Sequence, residues 1–113
     1  VFDREGNDII CEVPVTFVQV TLGAEISVPS LEGKLKMKVP AGTQNGRVFR
    51  LKGKGITDIN GYGRGDQLVR IVVEVPTKLN PKQKELLKEF ESSGGGYTPK
   101  INSFMDNVRR FFQ

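Results

Sequence analysis

The stretch from Leu22 to Val39 reads LGAEISVPSLEGKLKMKV, and its alternation of apolar and polar residues is the strongest fold signal in the sequence. Apolar residues recur at every second position on both sides of Ser30–Gly33, a segment with the composition of a turn. Because successive side chains of a strand point to opposite faces, the pattern predicts a β-hairpin with two unlike faces. The apolar face contains Ile26, Val28, Leu35, Met37 and Val39, and the other face contains Lys34, Lys36 and Lys38.

Upstream of the hairpin, the sequence predicts a strand followed by a short helix. Ile9–Val15 alternates with a period of two, and Pro14, which has no backbone N–H, indicates an edge position or the end of the strand. Thr16 is a suitable helix N-cap, which predicts a short internal helix over Phe17–Leu22, ended by Gly23. The β-branched residues of that segment would also suit a strand.

Downstream of the hairpin, two more strands are predicted. Val48–Leu51 follows a loop at Pro40–Gly46, and Gln67–Val75 follows a glycine-rich loop or wide turn at Gly53–Gly65. The last strand has a wholly β-branched face, which is typical of a core strand. We therefore expect a mostly β domain with a short internal helix over residues 1–77.

After Pro76 the composition changes from strand-forming to helix-forming residues. Asn80 is a good N-cap, Pro81 suits the first helical position, and Gln83 completes the spacing of a capping box. This predicts a helix with an apolar stripe that packs on the β-domain, ended by Gly94 and followed by a flexible linker over Ser92–Gly96. The stripe contains Leu86, Leu87 and Phe90, and we expect the helical part to span residues 78–113.

A last helix is predicted near the C-terminus. Ser103 and Asp106 have the spacing of a capping box, and an apolar stripe follows at helical spacing. A helix this short gains its stability chiefly by docking its apolar face. The stripe can fold back on its own chain or pack against a partner subunit, and we favour a homodimer. Its residues are Phe104, Val108, Phe111 and Phe112.

The composition argues against catalysis and metal binding. There is no histidine and one cysteine, so the commonest general base and the commonest zinc ligands are missing. The glycines of residues 53–65 do not complete a phosphate loop, a dinucleotide fingerprint or a calcium loop. We therefore expect no catalytic residues, no metal site and no cofactor. The lone Cys11 favours a reducing compartment, the cytoplasm, and no stretch approaches the roughly 20 apolar residues of a bilayer span.

The net charge of +4 permits an anionic partner. The alternative function is a basic, β-rich module that binds nucleic acid. It lacks the stacking aromatics that single-strand binders interleave with their cations. The cations for that alternative are Lys34, Lys36, Lys38, Lys52 and Lys54.

Several motifs in register resemble the C-terminal half of the DnaJ co-chaperone family, across essentially the whole chain. Phe2–Ile9 (FDREGNDI) resembles the entry to the family's second β-domain, and Leu22–Gly33 resembles its central run, L-G-x-x-x-x-V-P-[ST]-L-[DE]-G. The remaining motifs follow in order: Val39–Gln44 (VPAGTQ), Phe49–Gly55 (FRLKGKG), Gly65–Leu68 (GDQL), then Asn80, Gln83, Leu86 and Leu87.

The resemblance implies a β-sandwich-like substrate-binding domain that is paired through its C-terminal helix into a clamp. It also implies binding of unfolded client polypeptides for transfer to the ATP-driven chaperone DnaK. Because the first residue is Val1 and not Met, we expect the sequence to be a fragment of a longer chain. The family's H-P-D motif and its C-x-x-C-x-G-x-G zinc motifs do not occur in it.

A candidate client groove follows from the hairpin itself. Its apolar stripe could accept an extended peptide by edge pairing. The alternative is that the same residues form the core of the domain, and the two interpretations remain open on the sequence alone. The residues in question are Ile26, Val28, Leu35 and Met37.

Overall fold

A computed structural model describes residues 1–61 and 63–113, and its contacts divide the chain into two compact units, Val1–Val75 and Pro76–Gln113. The first unit contains six strands and one helix among these residues, and the second contains two helices. The strands are β1 (Asp3–Glu5), β2 (Asp8–Thr16), β3 (Ala24–Ser30), β4 (Gly33–Val39), β5 (Val48–Leu51) and β6 (Gln67–Glu74), and the helices are α1 (Phe17–Leu22), α2 (Pro81–Ser92) and α3 (Pro99–Phe111). The predicted fold class, mostly β with C-terminal helices, is confirmed.

The larger sheet has the strand order β1-β2-β6-β5. Its centre is a parallel pair, in which Cys11 of β2 lies opposite Val69 of β6, while β1 and β5 are antiparallel to their neighbours. The position of β6 between two strands confirms that it is a core strand, and Val69 and Ile71 are fully buried. Val75 lies beyond the end of β6 and is exposed.

The edge prediction from Pro14 is correct only for part of β2. Asp8, Ile9 and Ile10 pair with β1 on one side, while the strand pairs with β6 along the other side from Ile9 to Thr16. Pro14 therefore lies on the half of β2 that β1 does not cover, where a missing N–H breaks no ladder with β1.

The predicted hairpin is confirmed, and its strands β3 and β4 form a second sheet of two strands. The helix α1 leads into it and begins at a capping box, because the Thr16 hydroxyl accepts from the Gln19 N–H and the Gln19 side chain accepts from the Thr16 N–H. The predicted N-cap and the end at Gly23 are both confirmed, and the strand alternative for this segment is wrong. Side chains from both sheets meet in one hydrophobic core that contains Cys11, Val28, Val39, Val69 and Ile71.

The second unit consists of α2 and α3 joined by a glycine turn. The capping box of Asn80 and Gln83 and the first-turn position of Pro81 are confirmed. The segment after α2 is an ordered turn, in which Gly94, Gly95 and Gly96 all have positive φ and the Gly95 N–H donates to the Phe90 carbonyl.

The predicted start of α3 is wrong. The helix begins at Pro99, with Thr98 at the N-cap position, and Ser103 lies inside it. Asp106 forms an ion pair with Arg109 one turn later instead of a cap. Pro99 was the sequence signal for the earlier start, since proline is favoured in the first turn of a helix.

Candidate functional site

The candidate client groove on the hairpin is largely covered. Ile26, Val28 and Met37 are only 8%, 1% and 8% exposed and belong to the hydrophobic core. Leu35 is half-buried and packs against the same core. A bound peptide could not contact the three buried side chains without opening the domain, so the prediction that all four line an accessible groove is not supported by their burial. The core alternative explains their positions.

The hairpin has an exposed lysine face and strand edges without a strand partner. Among the described residues, β3 and β4 pair with each other and with no third strand, so each leaves one edge unpaired. Unpaired strand edges can accept another extended chain. Lys34, Lys36 and Lys38 are exposed on the outer face, where Lys36 lies 3.8 Å from a carboxylate oxygen of Glu25.

The turn end of the hairpin is fastened to the rest of the first unit by two polar contacts. The buried Gln67 side chain at the start of β6 donates from Nε2 to the Pro29 carbonyl at 2.7 Å. On the surface, Arg64 donates to the Glu32 carboxylate and, from its Nε and Nη2 atoms, to the Gly55 carbonyl. The hydrogen bond and charge of Arg64 lower the pKa of Glu32 below its usual value. These contacts fix the hairpin turn against the glycine-rich loop.

The glycines of the loop allow three backbone segments to touch. Gly55 N–H donates to the Gly65 carbonyl, Gly65 N–H donates to the Ile56 carbonyl, and Ile56 N–H donates to the Asn7 carbonyl. A Cβ atom at Gly65 would lie 2.0 Å from the Asn7 carbonyl oxygen, and one at Gly55 would lie 2.5 Å from the same atom. Both positions therefore require glycine for close packing, which the sequence alone did not distinguish from ordinary turn geometry.

Asp66 holds the end of this loop. Its carboxylate accepts from the Gly53 N–H at 2.8 Å and from Arg50 at 2.7 Å, and its own N–H donates to the Asp8 carboxylate. The Gly53 hydrogen bond, followed by the Arg50 hydrogen bond, lowers the pKa of Asp66 below its usual value. These interactions are structural, because Gly53 and Arg50 belong, like Asp66, to the first unit, Val1–Val75, which we call the β-unit.

The aromatic stripe of α3 is exposed. Phe104, Phe111 and Phe112 are 65%, 80% and 79% exposed, and Val108 is half-buried. Two further residues on this face were missed by the sequence analysis, Ile101 and Met105. Ile101 lies three residues before Phe104 and belongs to the helix because the helix starts at Pro99, and Met105 lies four residues after Ile101 on the same face. We call these six residues the α3 stripe.

The α3 stripe is large for a surface of a small protein. The three phenylalanines alone present on the order of 400 Å² of apolar surface, if each ring contributes about 200 Å² when fully exposed. Patches of this size on soluble proteins usually mark an interaction site. The polar side of the helix carries Asp106, Arg109 and Arg110, so α3 is strongly amphipathic.

The apolar stripe of α2 is less exposed, but none of it is buried. Leu86, Leu87 and Phe90 are 50%, 44% and 37% exposed. That this stripe packs on the β-domain stays a prediction.

The described residues show no group of three or more His, Cys, Asp or Glu that could hold a metal ion. No helix formed by them is long and apolar enough to cross a bilayer. Cys11 is a free thiol on β2, 2% exposed, and belongs to the hydrophobic core.

Comparison with protein-family models gives two matches along the chain. Residues 1–76 match the model described as DnaJ C terminal domain. Residues 82–113 match the model described as Chaperone protein DnaJ C-terminal region. The first match coincides with the β-unit, and the second contains α3 and nearly all of α2.

Proposed function

The chain belongs to the DnaJ chaperone family through its C-terminal domain, and on that premise we propose that it is a non-catalytic co-chaperone region that forms a homodimer through α3. In this proposal residues 1–77 are the second of the family's two substrate-binding β-domains, and residues 78–113 are the dimerisation segment. The dimer helps to hold unfolded polypeptide, and the full-length protein delivers it to a DnaK-type chaperone in the cytoplasm.

The exposed α3 stripe is the observation that carries the proposal of a dimer. A single chain leaves its three phenylalanines at least 65% exposed. A second copy offers an identical apolar face, and two-fold pairing is the commonest way for a chain to cover its own patch. Burial of about 400 Å² on each chain would contribute roughly 20 kcal/mol at 25 cal/mol per Å², an upper bound before the cost of association is subtracted.

A matched pair of substitutions on α3 tests the dimer. Phe104→Glu places a charge in the stripe, and Ser103→Glu places the same charge one residue earlier, on the opposite side of the helix. Because burial of an unpaired carboxylate is costly, we expect Phe104→Glu to weaken self-association by about tenfold or more. Ser103→Glu should leave it within about twofold. Light scattering during gel filtration over a range of concentrations measures both variants, and equal effects would contradict a stripe-mediated dimer.

Client binding is proposed for the hairpin β3–β4. The observations that support it are the unpaired edges of both strands and the half-exposed Leu35. Main-chain pairing along an edge binds extended polypeptide with little dependence on its sequence, which suits a chaperone.

Suppression of aggregation of a chemically unfolded test protein checks the client role. Leu35→Gln removes the accessible apolar side chain of the hairpin, and Lys36→Gln changes the next residue, which points to the other face. We expect Leu35→Gln to reduce protection while Lys36→Gln retains it, with circular dichroism used to verify that both variants are folded. Equal protection by the two variants would show that the hairpin does not hold clients.

A further inference from the structure

The charges of the β-unit are unevenly distributed along the chain. Residues 33–57 contain seven Lys and Arg residues and no Asp or Glu, whereas the rest of residues 1–75 contains three Arg and nine Asp and Glu. The acid-free segment includes β4, the loop that follows it and β5. Lys36 and Arg50 are paired with acids from outside the segment, Glu25 and Asp66, and the other five cations favour anionic over cationic partners.

The strand β5 presents an unpaired edge within this segment. It is the last strand in the order β1-β2-β6-β5. The Ile71 N–H of β6 donates to the Arg47 carbonyl at 2.8 Å, so the backbone carbonyl of Arg47 points toward β6. Because inward and outward backbone groups alternate along an antiparallel strand, the N–H and C=O groups of Val48 and Arg50 point away from β6. These groups are free to pair with another extended chain.

A cation stands beside the edge without a carboxylate partner. Arg47 is exposed and its guanidinium lies 5.1 Å from the centre of the Phe49 ring. Within the described part of the chain, Arg50, Arg64 and Arg70 each form an ion pair, and Arg47 forms none. Its charge is therefore not neutralised within the unit.

A surface cleft of about 470 Å³ adjoins Arg47. It is lined by Phe49, by Arg47 and by the loop of residues 40–46, none of which is acidic. A guanidinium held over an aromatic ring at the rim of such a cleft is suited to a carboxylate, which it can bind through two parallel hydrogen bonds.

We propose that the outer edge of β5 binds an extended, acidic polypeptide segment by strand addition, with a carboxylate of that segment bound by Arg47 at the cleft. The β5 edge belongs to a different sheet from the hairpin β3–β4 and selects by charge, whereas an apolar client is held without regard to charge. The proposal rests on the proposed function, polypeptide binding, and adds acidic, extended segments as a class of polypeptide that the chain binds.

Fluorescence anisotropy with labelled decapeptides tests the proposal on the full 113-residue chain. One peptide alternates Glu with Val and Thr, and a second has Gln in place of every Glu. We expect the acidic peptide to bind at least ten times more tightly than its Gln counterpart in low salt. Arg47→Gln should weaken binding of the acidic peptide at least tenfold. Lys34→Gln removes one charge from the far end of β4 and should change this affinity less than twofold.

The contribution of the backbone edge is tested by Val48→Pro, which removes an N–H that points away from β6 and should weaken binding of the acidic peptide at least fivefold. Equal binding of the two peptides, or retained binding in a folded Arg47→Gln variant, would overturn the proposal. A twelve-residue single-stranded oligonucleotide that binds more tightly than the acidic peptide at equal salt would assign the surface to nucleic acid and also overturn it. If unfolded apolar protein is still protected from aggregation in any of these cases, the client function stands and the β5 site alone fails.

Discussion

Replacement of Gly65 by alanine should destabilise the β-unit strongly. The added Cβ atom would lie 2.0 Å from the Asn7 carbonyl oxygen and 2.3 Å from its carbon. Those are backbone atoms of the turn between β1 and β2, so no side-chain rotation can relieve the overlap. The turn and the glycine-rich loop must separate by an ångström or more.

The magnitude of the loss follows from two contributions. Forcing an extra methyl group into a close-packed site costs about 1–3 kcal/mol. The separation also threatens the Gly65 N–H bond to Ile56 and the Ile56 N–H bond to Asn7, at 2.9 and 2.8 Å, and each is worth about 1 kcal/mol. We therefore expect a loss of about 3–5 kcal/mol in the free energy of unfolding, which lowers Tm by roughly 15 °C or more in a domain of this size.

Thermal and urea unfolding followed by far-ultraviolet circular dichroism measure this change. The matched control is Gly6→Ala, because Gly6 has a φ of +62° and no atom within 4 Å of its added Cβ. The control tests the conformational cost alone and should lose only about 1 kcal/mol. A Gly65→Ala protein that melts within 2 °C of the Gly6→Ala protein would refute the close approach of the three segments.

Further predictions concern the Asp66 carboxylate, the Cys11 thiol and the absence of cofactors. The hydrogen bonds from Gly53 and Arg50 lower the pKa of Asp66 in the folded chain, so the stability that its carboxylate contributes is present above the unfolded pKa and is lost as pH falls through the folded pKa. The free energy of unfolding should therefore fall less from pH 7 to pH 3 for Asp66→Asn than for the unmodified chain. An equal fall in the two proteins would contradict this. Cys11 is 2% exposed, so a thiol reagent should label it at least tenfold faster in urea than in buffer, and equal rates would place it at the surface. Calorimetric titration with ATP or zinc should give no stoichiometric heat, and micromolar binding of either would contradict a non-catalytic, metal-free region.

Local features of the fold were predictable because their signals are local. The period of two in β3 and β4, the N-cap at Thr16 and the capping box at Asn80 each depend on residues within a few positions of one another. Thr98 and Pro99 show the limit of such signals. The Ser103–Asp106 spacing has the pattern of a capping box, but the N-cap position is Thr98, five residues before Ser103.

Features that depend on distant residues were not predictable in the same way. Alternation shows that the hairpin has an apolar face, but it does not show whether another sheet covers that face, and Val28 proves to be 1% exposed. The parallel pairing of β2 with β6 joins Ile9 to Gln67. The contact of Gly65 with Asn7 likewise depends on the folded path of the chain. By contrast, the apolar face of α3 could be predicted, because its amphipathic spacing is local.

Sedimentation equilibrium of the 113-residue chain, beside a version that ends at Gly96, tests the central claim of self-association through α3 most directly. The β-unit has its own core and should remain folded in the shorter chain. At tens of micromolar, the intact chain should sediment with about twice its mass of 12.5 kDa, and the shorter chain should sediment as a folded monomer. An intact chain that stays monomeric, or a shortened chain that still forms a dimer, would contradict it.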